Sequence, residues 1–254
     1  MGIQVINSLP YVIKSPGVYR LAKAFNINLG SGNAIEVQAD NVTIDLMNYA
    51  VDNRSAGPST TARGVSANGF KNCTVRNGDI TGFLAGIYLR PGSGPAAGQF
   101  CAYVVEGITL SANVDMGITV NGLGNIIRNN LIVGSRVGIF TGNLGASTII
   151  NNSIYETVIG IELNMNAGSV VDNNRLGNTA TGGPTESIGI SVLDSSSVIL
   201  RRNSIYSFKT GIRFDGLSWG MYIDNVAVCC ATPFFAPHAV AAGTTNYSMM
   251  PSET

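Results

Sequence analysis

Apolar residues recur along this chain at a spacing of two, in short runs that return at a fixed interval. Each run opens with Gly-Ile, Gly-Val or a close variant. The copies are Ala34-Ile35-Glu36-Val37, Gly64-Val65-Ser66-Ala67, Gly86-Ile87-Tyr88-Leu89, Gly117-Ile118-Thr119-Val120, Gly138-Ile139-Phe140-Thr141, Gly160-Ile161-Glu162-Leu163, Gly189-Ile190-Ser191-Val192 and Gly211-Ile212-Arg213-Phe214. A degraded copy is read at Pro233-Phe234-Phe235. Successive first positions are separated by 30, 22, 31, 21, 22, 29 and 22 residues, so the period is 22 with three insertions. A second marker keeps the register: Ile80, Ile132, Ile154 and Ile205 each lie six residues before the Gly of a pair. Just before these markers lie asparagines, among them Asn129-Asn130, Asn151-Asn152, Asn173-Asn174 and Asn203.

Alternation of two means strands, with Ile and Leu facing inward and the residue between them facing outward. A single 22-residue turn of chain cannot bury its own apolar face, so the coils must stack in series. The predicted fold is all-β: a right-handed parallel β-helix, a solenoid of about nine coils in one domain. Residues 1–33 are expected to form an N-terminal cap and entry coil, 34–230 the repeat coils, and 231–254 a C-terminal cap or tail that leaves the repeat. A helical solenoid is the competing fold. The spacing of two, and the crowding of Val, Ile, Thr and Gly, argue against it. Gly and Asn are expected where the chain turns sharply, since both tolerate positive φ, and stacked Asn amides are expected to bond from coil to coil.

Composition sharpens this picture. The chain has 254 residues, with 15 Lys+Arg balanced by 15 Asp+Glu, and charged residues make up 12%. A chain without net charge has no general pull on nucleic acid or an anionic membrane. It has no run of ~18 apolar residues for a membrane span. Nucleic acid and membrane insertion are therefore not expected partners. Its first residues, Met1-Gly2-Ile3-Gln4-Val5, lack the basic and apolar stretches of a secretory signal. Either a signal has been removed, or the protein is made and assembled in a cytoplasm.

The stretch Ser15-Pro16-Gly17-Val18-Tyr19-Arg20-Leu21, followed by Asn33-Ala34-Ile35-Glu36-Val37 and Ala39-Asp40-Asn41-Val42-Thr43-Ile44-Asp45-Leu46, resembles the entry coils of pectate-lyase-like right-handed β-helix repeat proteins. The likeness runs on through Asp224. That group includes polysaccharide lyases, hydrolases, epimerases and phage tailspikes, so the resemblance implies the fold and leaves the function open. Many of its members follow the Asp-Leu pair with Asn-Gly-His. Here Met47-Asn48-Tyr49 follows, and the His is missing.

The insertions, Arg54 to Arg63, Pro91 to Ala102 and Gly177 to Ser187, rim one sheet from its two edges, and such loops mark binding faces in repeat proteins. Outward residues of that sheet form two columns. The first is Glu36, Ser66, Tyr88, Thr119, Phe140, Glu162, Ser191 and Arg213; the second is Gln38, Asn68, Arg90, Asn121, Gly142, Asn164, Leu193 and Asp215. Tyr88, Arg90, Phe140, Glu162, Asn164, Arg213 and Asp215 are the candidate ligand-binding residues, because aromatic faces, amides and a few charges suit a sugar chain. Exposed Phe140 and Leu193 suit burial against another copy of the chain equally well. The expected partners are thus a polysaccharide and further copies of the same protein.

The case for catalysis is thinner. Glu162, Asp215 and Arg213 are the candidates, yet Glu162 and Asp215 lie two coils apart, ~10 Å along the axis plus a sideways offset. Paired carboxyls in glycosidases stand ~5 to 9.5 Å apart. Asp172 and Asp224 are expected two coils apart on another column, where Ile150 and Arg201 flank Asp172; Arg201, Arg202 and Arg213 are the candidate bases of a lyase. No coil pair brings adjacent acids together for calcium; the single His238 cannot build a histidine metal site. No metal or other cofactor is expected. Nucleophile-elbow, phosphate-loop and dinucleotide patterns are absent, and Gly92-Ser93-Gly94 reads as a plain loop. Cys73 and Cys101 each lie seven residues before the markers Ile80 and Ile108, which predicts stacked neighbours; a Cβ separation of ~4.8 Å favours free thiols, with a disulfide as the alternative. Adjacent Cys229-Cys230 is no metal motif. Two functions remain: a structural or binding β-helix shown outside a cell or on a virion, as in a phage appendage, or a secreted polysaccharide lyase or hydrolase.

Overall fold

The computed structural model describes residues 2–92, 100–143, 145–179, 186–241 and 246–249. Most of the Pro91 to Ala102 insertion (with Ser93-Gly94), the middle of Gly177 to Ser187, and the last residues of the tail including Pro251 lie outside the described residues. Among the described residues, parallel strands stack into two sheets, one of ten strands and one of eighteen. The ten-stranded sheet is the Gly-Ile sheet. Its register runs Ile35–Val65–Ile87–Ile118–Ile139–Ile161–Ile190–Ile212–Phe234, the series read from the repeat. Tyr11–Ile13 lies under Asn33–Val37 as a tenth strand, one more level than the repeat counts. The eighteen-stranded sheet holds the second marker: Ile80 faces Leu110, and the column continues through Ile132, Ile154, Leu176 and Ile205 to Ala227.

Inward residues of both sheets form one continuous core. Ile35, Ile87, Ile118, Ile139, Ile161, Ile190 and Ile212 are fully buried, as are the markers from Ile80 to Ile205. Each such side chain contributes ~1.5–3 kcal/mol relative to exposure.

The Gly column has a different cause from the one its turn propensity suggests. Positive φ is found at neither Gly138 nor its counterparts. A Cβ on Gly138 would instead stand 2.5 Å from the carbonyl oxygen of Gly160 and 2.6 Å from Cγ2 of Ile154. The Gly and Ile columns require each other: the marker side chain fills the space that the missing Cβ leaves. Asparagine does behave as expected at the corner before the marker. Asn77, Asn129, Asn151 and Asn173 all have φ between 52° and 57°.

Next to that corner lies a buried amide ladder. Asn130 donates to Asn152 (3.0 Å), Asn152 to Asn174 (2.9 Å), Asn174 to Asn203 (3.0 Å), Asn203 to Asn225 (2.9 Å) and Asn225 to Asn246 (3.2 Å). Each second amide hydrogen goes to a backbone carbonyl, for example Asn174 to Ile149. The ladder satisfies polar backbone at a point where the chain turns inside the core.

Two expectations are corrected. In its described residues the segment after Cys230 does not leave the repeat: Thr232–Phe235, Val240–Ala241 and Tyr247–Met249 pair in parallel with the preceding coil. Pro233 stands where the repeat has Gly, which hides the motif, and its carbonyl meets Gly211 as a glycine carbonyl does elsewhere. Cys73 and Cys101 do not stack level. Ile80 pairs with Leu110 rather than Ile108, and Thr74 with Val104, so Cys73 comes level with Tyr103. Ala102, at φ 49°, holds the corner that Asn72, at φ 54°, holds in the coil before. All four cysteines are thiols. Burial pushes the Cys73 thiol up to about 12.

Candidate functional site

Alternation along each Gly-Ile strand places the two outward columns as the sequence implies. Ser66, Tyr88, Thr119, Phe140, Glu162, Ser191 and Arg213 stand level in succession, and Asn121, Gly142, Asn164, Leu193 and Asp215 do so beside them. The face is not flat. A depression of about 360 Å³ opens over three strands, with Tyr88, Thr119 and Phe140 across its floor and Arg63, Arg90, Asp115 and Asn121 around it.

Its shape follows from side-chain size. Thr119 is the small residue between two aromatics on one column, so a hollow about two strand spacings wide, ~10 Å, lies between the rings. Gly142 lets the Phe140 ring lie over the neighbouring position, where a Cβ would come within 3.1 Å of it. Asn121 accepts the Gly142 N–H at 3.1 Å, which fixes its amide in the wall. The Arg63 guanidinium lies 4.0 Å from the Tyr88 ring centroid. Arg90 lies 5.6 Å from the same centroid and donates to the Tyr88 hydroxyl at 2.5 Å. Thr119 is 4% exposed, and its hydroxyl is buried without a hydrogen-bond partner.

The acid of the depression and most charges beyond it are paired. Asp115 binds Arg136 at 2.5 Å. Glu162 lies one strand past Phe140. Burial raises its carboxyl above the ordinary range, opposed by Arg136 and by a hydrogen bond with Asn164. Arg213 and Asp215, two strands further on, bind each other. They are two residues apart on one strand and so share a face. On the other sheet Asp172 is held by Arg201 and Arg202, which keep its carboxyl below the usual range. Asp224 is not on the Asp172 column: Ile223 pairs with Arg201, and Asp224 sits one residue on, at a positive-φ corner beside Arg202. No cluster of three metal-binding side chains occurs among the described residues. His238 is exposed near the C-terminus.

The structure therefore brings together Tyr88, Arg90 and Phe140, puts Glu162 and Asn164 at the next strand, and leaves Arg213 and Asp215 apart as a pair. Phe140 and Leu193, expected exposed, are half-buried. Exposed large apolar side chains lie elsewhere, among them Ile199, Met221 and Val240 on one outward column of the eighteen-stranded sheet. Sequence reasoning did not single out Arg63, Asp115, Thr119, Asn121 or Arg136. Their signal is positional: Arg63 directly precedes Gly64, while Asp115 and Arg136 stand two residues before Gly117 and Gly138, at the edge where the loops enter the sheet.

The arrangement defines a solenoid with a shallow site on one outer face, and comparison with known proteins agrees on the class. A family model described as "Right handed beta helix region" matches residues 63–228. The chain belongs to the right-handed β-helix family. No curated protein matches it in sequence. Among solved structures, it is similar to a periplasmic alginate epimerase at 13% identity and a TM-score of 0.51, covering 94% of this chain and 75% of that one. It is also similar to a tailspike protein of E. coli bacteriophage HK620 (14% identity, TM-score 0.48, 94% and 52% covered). The Dettilon tailspike protein is a third (15%, 0.46, 97% and 61%). The chain thus spans only part of the tailspikes' length. At these identities the likeness shows the fold.

Proposed function

We propose that this protein is a β-helix binding protein, displayed outside a cell or on a virion, that holds a polysaccharide along the outer face of the Gly-Ile sheet. The observation that carries this reading is the depression between Tyr88 and Phe140. Two aromatic faces flank a floor of hydroxyl and amide, which suits the apolar ring faces and polar rims of sugars. Glu162 and Asn164 extend the surface by one strand, and Arg213 and Asp215 end it, about five strand spacings or ~24 Å from Tyr88. The alternative is a secreted polysaccharide lyase or hydrolase. It draws on Glu162, whose proton is held more tightly than usual. Its obvious partner Asp215 is ~10 Å away along the axis and tied to Arg213.

Affinity electrophoresis against a panel of neutral and acidic polysaccharides tests the binding reading. At least one polymer should retard the protein, and Tyr88→Ala with Phe140→Ala should weaken that binding roughly 30-fold, as expected for an aromatic anchor worth ~2 kcal/mol. No retardation by any polymer would end it. Release of reducing ends or of unsaturated uronates, lost in Glu162→Gln, would instead establish the enzyme.

A further inference from the structure

We infer that the Tyr88 depression selects an acidic sugar, by direct bonds from Arg63 and Arg90 to a carboxylate or sulfate on the bound polymer. This rests on the polysaccharide reading and names its substrate class.

The first ground is the distribution of charge. Most arginines elsewhere have a carboxylate at hand: Arg54 has Asp52, Arg76 has Asp45, Arg128 has Glu106, Arg136 has Asp115 and Arg213 has Asp215; among the described residues Arg20 and Arg175 have none, but each stands singly on the other sheet. Asp172 takes both Arg201 and Arg202. Among the described residues, neither Arg63 nor Arg90 has a carboxylate within ion-pair distance. In a chain of zero net charge, two such guanidiniums in one hollow form a local positive spot.

The second ground is their geometry. They come from neighbouring strands, since Arg63 pairs with Ala85 on the strand that carries Tyr88 and Arg90. Both lie within 6 Å of one ring centroid. Contact with an aromatic face holds a guanidinium in place and leaves its in-plane N–H groups for an oxyanion. Arg90 uses one N–H on the Tyr88 hydroxyl, out of five.

The third ground is independent of the arginines. One strand along from Tyr88, the Thr119 hydroxyl is buried on the floor with no partner. A buried hydroxyl left so costs ~1–3 kcal/mol, which an accepting ligand oxygen relieves. The one acid in the wall, Asp115, is already taken by Arg136. The unmatched charge of the hollow is thus carried by donor-only guanidiniums, with the Thr119 hydroxyl free to donate beside them. Its match is a ligand rich in acceptors, which a carboxylated or sulfated sugar is and a neutral sugar is to a lesser degree.

The test is calorimetry on the full chain in EDTA, so that no divalent cation bridges protein and polymer. The ligands are polygalacturonate and its carboxyl-reduced form, and a sulfated galactan and its desulfated form. At least one acidic polymer should bind at least about tenfold more tightly than its neutral counterpart, the effect of one charge-assisted contact. Which acidic polymer does so separates carboxylate from sulfate. Arg63→Gln and Arg90→Gln should each lower the ratio of acidic to neutral affinity about tenfold, measured within each variant so that any general loss of binding cancels. Arg175→Gln, an exposed change on the other sheet, should alter neither. Thermal melts of the variants confirm their folding. Equal binding of acidic and neutral forms, or arginine variants that bind as the parent does, would overturn the acidic preference and leave the polysaccharide reading standing. Binding of no polymer at all would overturn both.

Discussion

Replacing Asn174 by Ala is the most direct challenge to the view that the amide ladder holds the coils in register. Asn174 sits in the middle of the ladder, 2% exposed. Its Oδ1 accepts both the backbone N–H and an amide hydrogen of Asn152, each at 2.9 Å. Truncation to Ala leaves those two buried donors without an acceptor. It also removes donors from Ile149 O and Asn203 Oδ1. The Asn203 oxygen keeps the backbone N–H of residue 174 at 3.0 Å, so the two orphaned donors dominate. At ~1–3 kcal/mol each, the cost is about 4 kcal/mol. For a domain of this size that is a fall in melting temperature of roughly 8–16 °C. The control is the preceding residue. Asn173 is exposed, at φ 52°, and bonds Asn151 at 2.8 Å. Asn173→Ala should cost about 1–2 kcal/mol, from the positive φ alone. Circular dichroism melts of both variants decide the matter. Equal melting temperatures would mean that the ladder decorates the core without holding it. The isosteric Asn174→Asp adds a second handle: it cannot donate, and its charge is buried, so its deficit against the parent should be largest at neutral pH and shrink as the carboxyl protonates.

Gly138→Ala should lower stability by about 2–3 kcal/mol through overlap with Gly160 O and Ile154 Cγ2, against about 1 kcal/mol for Gly168→Ala, which has open space but φ 78°; the reverse order in thermal melts would show that backbone conformation, not space, sets the Gly column. Glu162→Gln should stabilise the protein at pH 7. A carboxyl whose pKa is raised by folding costs stability once it ionises, so the gain should appear as pH rises from the unfolded value, ~4.3, through the folded one, and vanish below that window. Melts at pH 4 and pH 7 that shift equally would refute this.

The repeat was legible because its two strongest signals are sterically bound to each other. Each Gly is compulsory where a marker Ile or Leu occupies the space of its Cβ, so neither column can drift alone. Legibility failed where one partner changed. Pro233 replaces the Gly of the last copy, and the tail then reads as irregular although Asn225 and Asn246 continue the ladder. In the coil after Cys101 both Ile108 and Leu110 are apolar and inward, and Leu110 is the marker, so Cys101 stands two residues out of line with Cys73. The turn residues explain much of the rest. Arg202 and Asp224 occupy the same positive-φ corner as Asn173, and no side-chain preference announces them there.

The site shows where alternation stops being informative. Within a strand it fixes direction, so Tyr88 and Phe140 could be placed outward from sequence. One or two residues ahead of the Gly it fixes nothing, and Arg63, Asp115 and Arg136 are set by how the preceding turn enters the sheet. Side-chain size carries the further signal: a small residue between two large ones on a column makes a hollow. Tyr88, Thr119 and Phe140 satisfy it, and so do Glu162, Ser191 and Arg213. The two differ in what the flanking side chains can do to themselves. Arg213 has an acid two residues ahead on its own face and turns to Asp215. Tyr88 has a base at that place, Arg90, which binds its hydroxyl and still keeps its charge unmatched. The sign of the residue two positions on therefore separates a self-neutralised stretch of the face from one that retains charge for a ligand.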